Sequence, residues 1–215
     1  MDGDAFFAAV RDWARRIPDG ERRVLAIAGA PGSGKSTLAE HLVERLDPGL
    51  AAILPMDGYH FDDRVLDPRG HRAVKGAPHT FDVGGFRVML ARLRANDEPE
   101  VAVPVFDRDL EVARAAARII PASVRLIVAE GNYLLLDRAP WTDLLPLYDR
   151  TAYLDVPLEE LERRLRARWE GYSMTPGDIA AKLEGNDLPN ARTVVTERRA
   201  ADWVVTWQGA PDPAR

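Results

Sequence analysis

Eight consecutive residues in the first quarter of the chain have the types and the spacing needed to hold a phosphate group. We call this segment the phosphate loop; it consists of Gly29-Ala30-Pro31-Gly32-Ser33-Gly34-Lys35-Ser36 and follows the pattern G-x-x-x-x-G-K-S. Its glycines let the main chain curve so that N–H groups point inward, and the start of a helix adds the positive end of its dipole. The pattern predicts that Lys35 reaches the β- and γ-phosphates of ATP and that the Ser36 hydroxyl binds Mg²⁺, with Thr37 completing the nucleotide-binding set.

A carboxylate follows the second apolar segment of the chain. Residues 51–55 have a strand pattern, and Asp57 comes two residues later. Ligands of α/β proteins bind at the carboxyl ends of the strands, so Asp57 is expected near the phosphate loop. There it could take the proton from an attacking hydroxyl group. The alternative is that Asp57 only begins a turn before Gly58.

A second carboxylate closes another apolar run. Residues 125–131 predict a buried strand, and Glu130 lies at its end. A carboxylate at this point is placed to bind Mg²⁺ or the substrate, as the acid of a Walker B strand does. The alternative is an acid that caps the next turn.

Several arginines share one predicted helix, residues 158–169. They are Arg163, Arg164, Arg166 and Arg168. Arg164 and Arg168 are four residues apart and therefore share a face of the helix. On a mobile helix above a nucleotide they would stabilise charge on the transferring phosphoryl group and exclude water. The alternative is an amphipathic surface helix.

The segments around these residues alternate between strand and helix patterns. Short apolar runs predict strands at residues 24–28, 51–55, 125–131, 151–156 and 202–207. Helices are predicted at residues 4–17, 37–46, 82–96, 158–169 and 175–183. Such alternation indicates right-handed crossovers and a mainly parallel sheet. We therefore expect an α/β fold in three layers, that of P-loop NTPases, in a single domain of residues 1–215.

Three segments are expected to surround the site. Residues 57–81, the acceptor loop, are polar and rich in turns, and they begin directly after a strand, which favours a functional role. Residues 99–121, the flap, contain a strand-like run at 101–106 in which Pro104 suits an edge or a small flap. Residues 158–190, the lid, are predicted to be helical.

The composition limits the classes of function. A net charge of −5 gives no electrostatic footprint for nucleic acid or an anionic membrane. The absence of cysteine excludes disulfides, thiolate chemistry and Cys-bound zinc, and the four histidines match no zinc motif. No apolar run is long enough to span a bilayer, and the acidic N-terminus is unlike a signal peptide, so the cytoplasm is the expected compartment. Most of the arginines are expected on the solvated surface.

The order of the motifs resembles a known superfamily. After the phosphate loop come Asp57-Gly-Tyr-His, Lys75-Gly-Ala-Pro-His-Thr-Phe-Asp82, Pro104-x-Phe-Asp, Glu130-Gly-Asn-Tyr-Leu-Leu-Leu and Arg164-Leu-x-x-Arg168. This order resembles the uridine kinase, phosphoribulokinase and bacterial pantothenate kinase superfamily. Within it, the chain is most similar to bacterial proteins labelled nucleoside kinase-like or fructose-transport-system kinase. The similarity runs from about Val24 to the last predicted strand.

The resemblance implies roles for individual residues. Asp57 matches the catalytic base and Glu130 the acid near Mg²⁺, while Arg164 and Arg168 lie at the lid. The residues that match the acceptor pocket are Tyr59, His60, His79, Phe81, Asp82, Phe106, Asp107 and Arg108. Lys75 matches a position that could bind an anionic group of the acceptor, although an exposed lysine is an equal alternative. The run Gly185–Asn190 fits the fructokinase-like group without a defined role.

The resemblance also implies an activity. We expect a small-molecule kinase that moves the γ-phosphate of Mg·ATP to a hydroxyl group, with a fructose-like sugar as first candidate, then a nucleoside, then a pantothenate-like acid. The alternative is a nucleotide-hydrolysing switch or chaperone without a small-molecule acceptor; the sequence contains no Asn-Lys-x-Asp motif for guanine. Dimers are common among such kinases, so the resemblance is compatible with a homodimer. No segment of the sequence identifies an interface.

Overall fold

The sheet of the protein is built from the predicted apolar runs. The computed structural model describes residues 1–207. Its strands are β1 (Arg23–Gly29), β2 (Ala51–Pro55), β3 (Glu100–Asp107), β4 (Val112–Pro121), β5 (Leu126–Gly131), β6 (Arg150–Leu154) and β7 (Trp203–Val205). Five of them form one sheet in the order β2-β5-β1-β6-β7, and every neighbouring pair in it is parallel. The predicted parallel sheet is confirmed. The single-domain prediction extends to residue 215, and residues 208–215 lie outside the described part.

Helices flank this sheet and give the three-layer α/β arrangement of P-loop proteins. They are α1 (Gly3–Ala14), α2 (Lys35–Glu44), α3 (Asp63–Leu66), α4 (Val83–Ala95), α5 (Leu158–Gly171), α6 (Pro176–Lys182) and α7 (Leu188–Thr196). Side chains cap several N-termini: the Asp2 carboxylate accepts from Ala5 N–H, and the Thr175 hydroxyl accepts from Asp178 N–H. Among the described helices, none has both the length and the apolar character needed to cross a bilayer.

The central strands carry the core of the protein. All six residues of β5 are buried, and so are six of the seven in β1. Strands covered on both faces have continuous apolar runs rather than alternating ones, which is why the sequence reveals them. In the register of these two strands, Ile27 pairs with Glu130 and Ala28 with Gly131. The end of β1, where the phosphate loop begins, therefore lies beside the carboxylate that ends β5.

The flap is a separate two-stranded antiparallel sheet of β3 and β4. The expectation of a strand at residues 101–106 in a small flap is confirmed. The register shifts between Val103 and Val105, so Pro104 lies at an irregularity where no ladder hydrogen bond is lost. β4 was not expected as a strand, since its middle is rich in alanine and arginine, which have low strand propensity. Pairing with β3 overrides that propensity.

A buried arginine fastens the base of the flap to the body. Arg22 is 4% exposed. Its Nε donates to Val124 O at 2.8 Å, Nη1 to Leu93 O at 2.9 Å, and Nη2 to Pro121 O at 2.8 Å. One side chain thus joins the end of α4, the end of β4 and the entry to β5. Arg22 is an exception to the expectation that the arginines lie on the surface.

Candidate active site

The phosphate loop connects β1 to α2. Gly32 and Gly34 have φ values of +78° and +90°, a conformation that favours glycine. A Cβ on Gly29 would lie 2.6 Å from Ser33 Oγ, so a side chain there would displace the Ser33 hydroxyl. Lys35 is the first residue of α2, so its side chain and the first N–H groups of the helix face the same space. This geometry is that of an anion-binding turn.

Ser36 and Glu130, the two predicted Mg²⁺ ligands, form a hydrogen-bonded pair beside the loop. Ser36 Oγ donates to Glu130 Oε2 at 3.0 Å. Burial raises the pKa of Glu130, and the positive charge of Lys35 partly opposes this. A buried carboxylate of this kind gains from a nearby cation, and Mg²⁺ prefers oxygen ligands shared between a few protein groups and phosphates. Among residues 1–207, no group of three or more His, Asp or Glu side chains gathers to hold a metal without a nucleotide.

Asp57 lies in the short 3-10 turn Met56–Tyr59 that follows β2. Its Oδ2 accepts a hydrogen bond from Arg108 Nη2 at 2.8 Å, and its side chain is 17% exposed. Burial acts to raise the pKa of Asp57, but the positive charges of Arg108, Lys35 and Arg168 outweigh it, so this pKa is lowered. Asp57 is therefore ionised at neutral pH and can accept a proton.

One cleft of about 410 Å³ opens between these groups. The phosphate loop and α2 form one wall, and β2 and the flap form the other. Its lining residues with polar side chains are Lys35, Ser36, Thr37, Glu40, Asp57, Arg108, Asp109, Arg118, Glu130, Arg168 and Tyr172. The groups that the sequence predicts to bind phosphate, to bind metal and to accept a proton thus share one space.

The flap closes on the turn that carries Asp57. A Cβ on Gly58 would lie 2.6 Å from the carbonyl oxygen of Pro104, so the two main chains meet here without an intervening side chain. This approach brings Phe106 and Arg108 of the flap to the cleft beside Asp57. The position of Gly58 therefore fixes the distance between the flap and the carboxylate.

An aromatic cluster connects the flap to the acceptor loop. The His60 ring lies between Phe81 and Phe106, with centroid distances of 4.1 and 4.6 Å. His60 Nδ1 lies 2.8 Å from the carbonyl oxygen of Asp57. Burial lowers the pKa of His60 and is opposed by the charge of Asp57, so the ring is mainly neutral at neutral pH. The structure thus brings three of the expected acceptor residues together next to Asp57.

Two other residues of the expected acceptor pocket serve the body of the protein. Tyr59 is buried with its ring against Phe86 at 5.0 Å, and its hydroxyl has no hydrogen-bond partner within the described part of the chain. The Asp82 carboxylate accepts from Gly85 N–H at 2.9 Å and so caps α4. Neither is among the described residues that line the cleft, and their contact with an acceptor stays a prediction.

His79 and Asp107 also lie outside the described lining of the cleft. The His79 ring packs against His71 at 4.4 Å on the far part of the acceptor loop. Asp107 accepts main-chain N–H groups of Asp109 and Leu110, at 3.2 and 3.1 Å, and so shapes the turn of the flap. Both assignments to the acceptor pocket stay predictions.

The two lid arginines occupy different positions. Arg168 lines the cleft. The Arg164 guanidinium instead contacts the phosphate loop from outside, with Nη1 donating to Ser33 O at 3.0 Å and Nε to Glu160 at 2.7 Å. Leu165 of the same helix packs so closely that a Cβ on Gly32 would lie 3.0 Å from it. Arg164 therefore joins α5 to the phosphate loop, and its action on a transferring phosphoryl group stays a prediction.

Lys75 is neither an exposed lysine nor a free cation. Its Nζ donates to Asp63 Oδ1 at 2.7 Å and to Glu111 O at 2.6 Å, and its side chain is 13% exposed. It thus joins two parts of the acceptor loop to the turn of the flap. Binding of an anionic group by Lys75 stays a prediction.

Four polar residues of the cleft were not expected from the sequence. They are Glu40 of α2, Arg118 of β4, Asp109 of the flap turn and Tyr172 at the end of α5. Arg118 Nη1 donates to Ile53 O at 2.7 Å, so it bridges the flap and the edge strand β2. The only signal for Arg118 would have been the alternation of a strand at 112–121, and the sequence does not show that strand.

Comparison with known proteins places this geometry among kinases. No family model matches the chain. A protein of Schizosaccharomyces pombe named provisionally as a uridine kinase is 33% identical over 180 residues, covering 79% of this chain and 77% of the relative. A relative from Lachancea thermotolerans, named ATP-dependent kinase YFH7, is 29% identical over 231 residues, covering 87% of this chain and 66% of the relative. A crystal structure from Silicibacter sp. TM1040, provisionally described as a fructose transport system kinase, has a TM-score of 0.88 and 39% identity, covering 95% of this chain and 98% of that one. The likeness therefore extends far beyond the phosphate loop.

Proposed function

Because this chain belongs to the uridine kinase-like P-loop kinases, we propose that it transfers the γ-phosphate of ATP to a hydroxyl group of a fructose-like sugar. Because the relatives are named as kinases and as ATP-dependent kinases, membership of this family implies a small-molecule kinase that uses ATP. A nucleoside is the next candidate acceptor and a pantothenate-like acid the third. The order follows the provisional descriptions of the relatives, of which the one connected with fructose transport has the higher identity.

One observation carries the proposal. An ionised carboxylate, Asp57, and a complete phosphate loop open into the same cleft of about 410 Å³. The volume is in the range of small-molecule sites. A protein that only hydrolyses nucleotide does not need a wall on the far side of the carboxylate, whereas here Phe106 and Arg108 of the flap supply one.

The residues have separate tasks in the transfer. Asp57 accepts the proton of the acceptor hydroxyl while the hydroxyl oxygen forms its bond to the γ-phosphorus and the bond from that phosphorus to the leaving ADP oxygen breaks. Lys35 and the N–H groups of the phosphate loop bind the negative charge on the phosphates. Arg168 reaches the cleft from the lid and offers a further positive charge.

Ser36 and Glu130 are the residues that would hold Mg²⁺. When bound, this ion neutralises charge on the phosphate oxygens during transfer. The hydrogen bond of 3.0 Å between Ser36 and Glu130 keeps the two oxygen ligands side by side.

The aromatic cluster and Arg108 supply the chemistry for the acceptor. The apolar faces of carbohydrates pack on aromatic rings, and Phe106 presents such a ring at the cleft. Arg108, whose side chain is 38% exposed, offers N–H donors beside the Asp57 carboxylate. An acceptor held by these two residues has its hydroxyl group next to the proton acceptor.

The test is release of ADP from Mg·ATP in the presence of sugars, polyols, nucleosides and pantothenate. We expect one class of acceptor to stimulate the wild type strongly, with Lys35→Ala and Asp57→Ala reducing the stimulated rate about 10²-fold or more. Asp97→Ala is the matched control, because Asp97 is an exposed carboxylate in the loop after α4. It should keep the wild-type rate.

Three results would contradict the proposal or one of its parts. Steady hydrolysis that no acceptor stimulates and that Asp57→Ala leaves unchanged would favour a nucleotide-dependent switch. Stimulated transfer that is unaffected by Asp57→Ala would remove Asp57 as proton acceptor. Stimulation by nucleosides alone would keep the kinase and replace the sugar as its acceptor.

A further inference from the structure

The lid contains one irregular turn whose purpose the sequence did not reveal. Residues Leu183–Asp187 form a single turn of π-helix between α6 and α7. Such turns cost stability relative to an α-helix and occur frequently at functional sites. The turn contains Asn186 and Asp187, and the side chains of these two neighbours contact different parts of the site.

Asp187 fixes the platform under a cleft arginine. Asp187 is 8% exposed, and its Oδ2 accepts from Trp169 Nε1 at 2.6 Å. The Arg168 guanidinium lies 5.1 Å from the centre of the Trp169 ring, a cation–π distance. The same ring lies 4.1 Å from Lys182 Nζ. Because Arg168 lines the cleft, the orientation of the indole affects where the Arg168 charge lies.

Asn186 contacts the acceptor loop. Its Nδ2 donates to Lys75 O at 2.9 Å. Asn190 holds the amide in place by donating from Nδ2 to Asn186 Oδ1 at 2.8 Å. From Lys75 the contacts continue through Nζ to Asp63 in the acceptor loop and to the carbonyl oxygen of Glu111 in the flap.

These contacts join the lid to the loop that is expected to bind the acceptor. We propose that Asn186 and Asp187 are positioning residues that couple the lid to the acceptor loop, so that nucleotide binding under Arg168 orders residues 72–80. The inference rests on the proposed function for the meaning of the two segments. Coupling of this kind is reciprocal, so an acceptor that orders residues 72–80 also strengthens the binding of nucleotide.

Hydrogen–deuterium exchange of the full chain with and without Mg·AMP-PNP tests the Asn186 arm without any acceptor. We expect the wild type to gain protection in residues 158–190 and in residues 72–80. Asn186→Ala should keep the lid protection and reduce the protection gained by residues 72–80 by about threefold or more. The matched control is Glu184→Ala, an exposed side chain of the same turn, which should behave as the wild type.

The outcomes are decisive in both directions. Equal protection of residues 72–80 in Asn186→Ala and the wild type would overturn the coupling, and so would a wild type in which nucleotide protects the lid alone. If Asn186→Ala does not fold, Asn190→Ala takes its place, because it keeps the Asn186 amide and removes the bond that orients it. Failure of the phosphotransfer assay would not affect these outcomes.

The Asp187 arm is tested by steady-state kinetics with an acceptor that stimulates the wild type. Trp169→Phe keeps a ring under Arg168 but lacks the indole N–H, and we expect kcat to fall about threefold to tenfold with KM for ATP unchanged. Asp187→Asn keeps an accepting oxygen and should retain most of kcat, whereas Asp187→Leu should match Trp169→Phe. The double variant that combines Trp169→Phe with Asp187→Leu should have a kcat no lower than that of either single variant. The role proposed for Asp187 would be contradicted if the losses in kcat add in the double variant. It would also be contradicted if Asp187→Asn loses as much kcat as Asp187→Leu.

Discussion

The close approach of Gly58 to the flap permits a quantitative prediction. In Gly58→Ala the new Cβ would lie 2.6 Å from Pro104 O and 2.8 Å from its carbonyl carbon, whereas ordinary contacts begin at 3.4 Å. The obstructing atoms belong to the main chain, so no rotamer change relieves the clash. The flap must therefore move away from the Asp57 turn by about 0.8 Å, the difference between the two distances.

This displacement has a structural and a kinetic consequence. A shift of about 0.8 Å takes the 2.8 Å contact between Arg108 and Asp57 beyond hydrogen-bond distance. Overpacking of this size costs about 1–3 kcal/mol of folding free energy, which lowers Tm by about 2–12 °C in a protein of this length. Misplacement of a catalytic group by about 1 Å costs up to about 10²-fold in rate.

The assay combines thermal unfolding with acceptor-dependent release of ADP. We expect Gly58→Ala to lose about 10-fold to 100-fold in kcat while KM for ATP stays within about twofold, because the phosphate loop is untouched. Gly84→Ala is the matched control, since a Cβ there meets only Asp82 Oδ1 at an ordinary 3.6 Å. A Gly58→Ala protein with wild-type Tm and wild-type kcat would refute the claim that this contact sets the geometry of the site.

Three further predictions address charge and burial. Arg108→Gln removes the main charge that lowers the pKa of Asp57, so this pKa should rise and the acidic limb of kcat/KM should move to higher pH; an unmoved limb would refute the effect. Glu130→Gln should raise the Mg²⁺ concentration for half-maximal activity about 10-fold to 100-fold, measured by Mg²⁺ titration, and an unchanged requirement would exclude Glu130 from the metal site. Arg22→Ala leaves three carbonyl groups, two of them buried, without their donor and should cost about 3 kcal/mol in urea unfolding; a loss under about 1 kcal/mol would show that water replaces the guanidinium.

The nucleotide side of the site could be predicted because its determinants are local. The phosphate loop is one continuous stretch, and its glycines are required by the conformation of their own residues. The neighbouring strands are buried on both faces, so β1 and β5 appear as unbroken apolar runs. Glu130 is recognised as soon as β5 is recognised, because it ends that strand.

The acceptor side depends on contacts between distant segments. Arg118 reaches the cleft only because β4 pairs with β3, and the composition of β4 does not predict a strand. Asp82 could not be assigned from the sequence because an aspartate before a helix fits a substrate-binding motif and a helix N-cap equally well. In the structure its side chain caps α4. The contact of Asn186 with Lys75 joins residues 111 positions apart and leaves no periodic signal.

The order of the strands divides the site into a half inside the sheet and a half at its edge. The phosphate loop extends from β1, which has a neighbour on each side and cannot move without disturbing the whole sheet. Asp57 and the flap belong to the edge strand β2 and to a hairpin outside the sheet, where insertions and new side chains disturb few other contacts. Evolution can therefore exchange the molecule that receives the phosphate while the machinery that donates it is conserved, and relatives with new acceptors are expected to diverge first in the length and sequence of the β3–β4 hairpin.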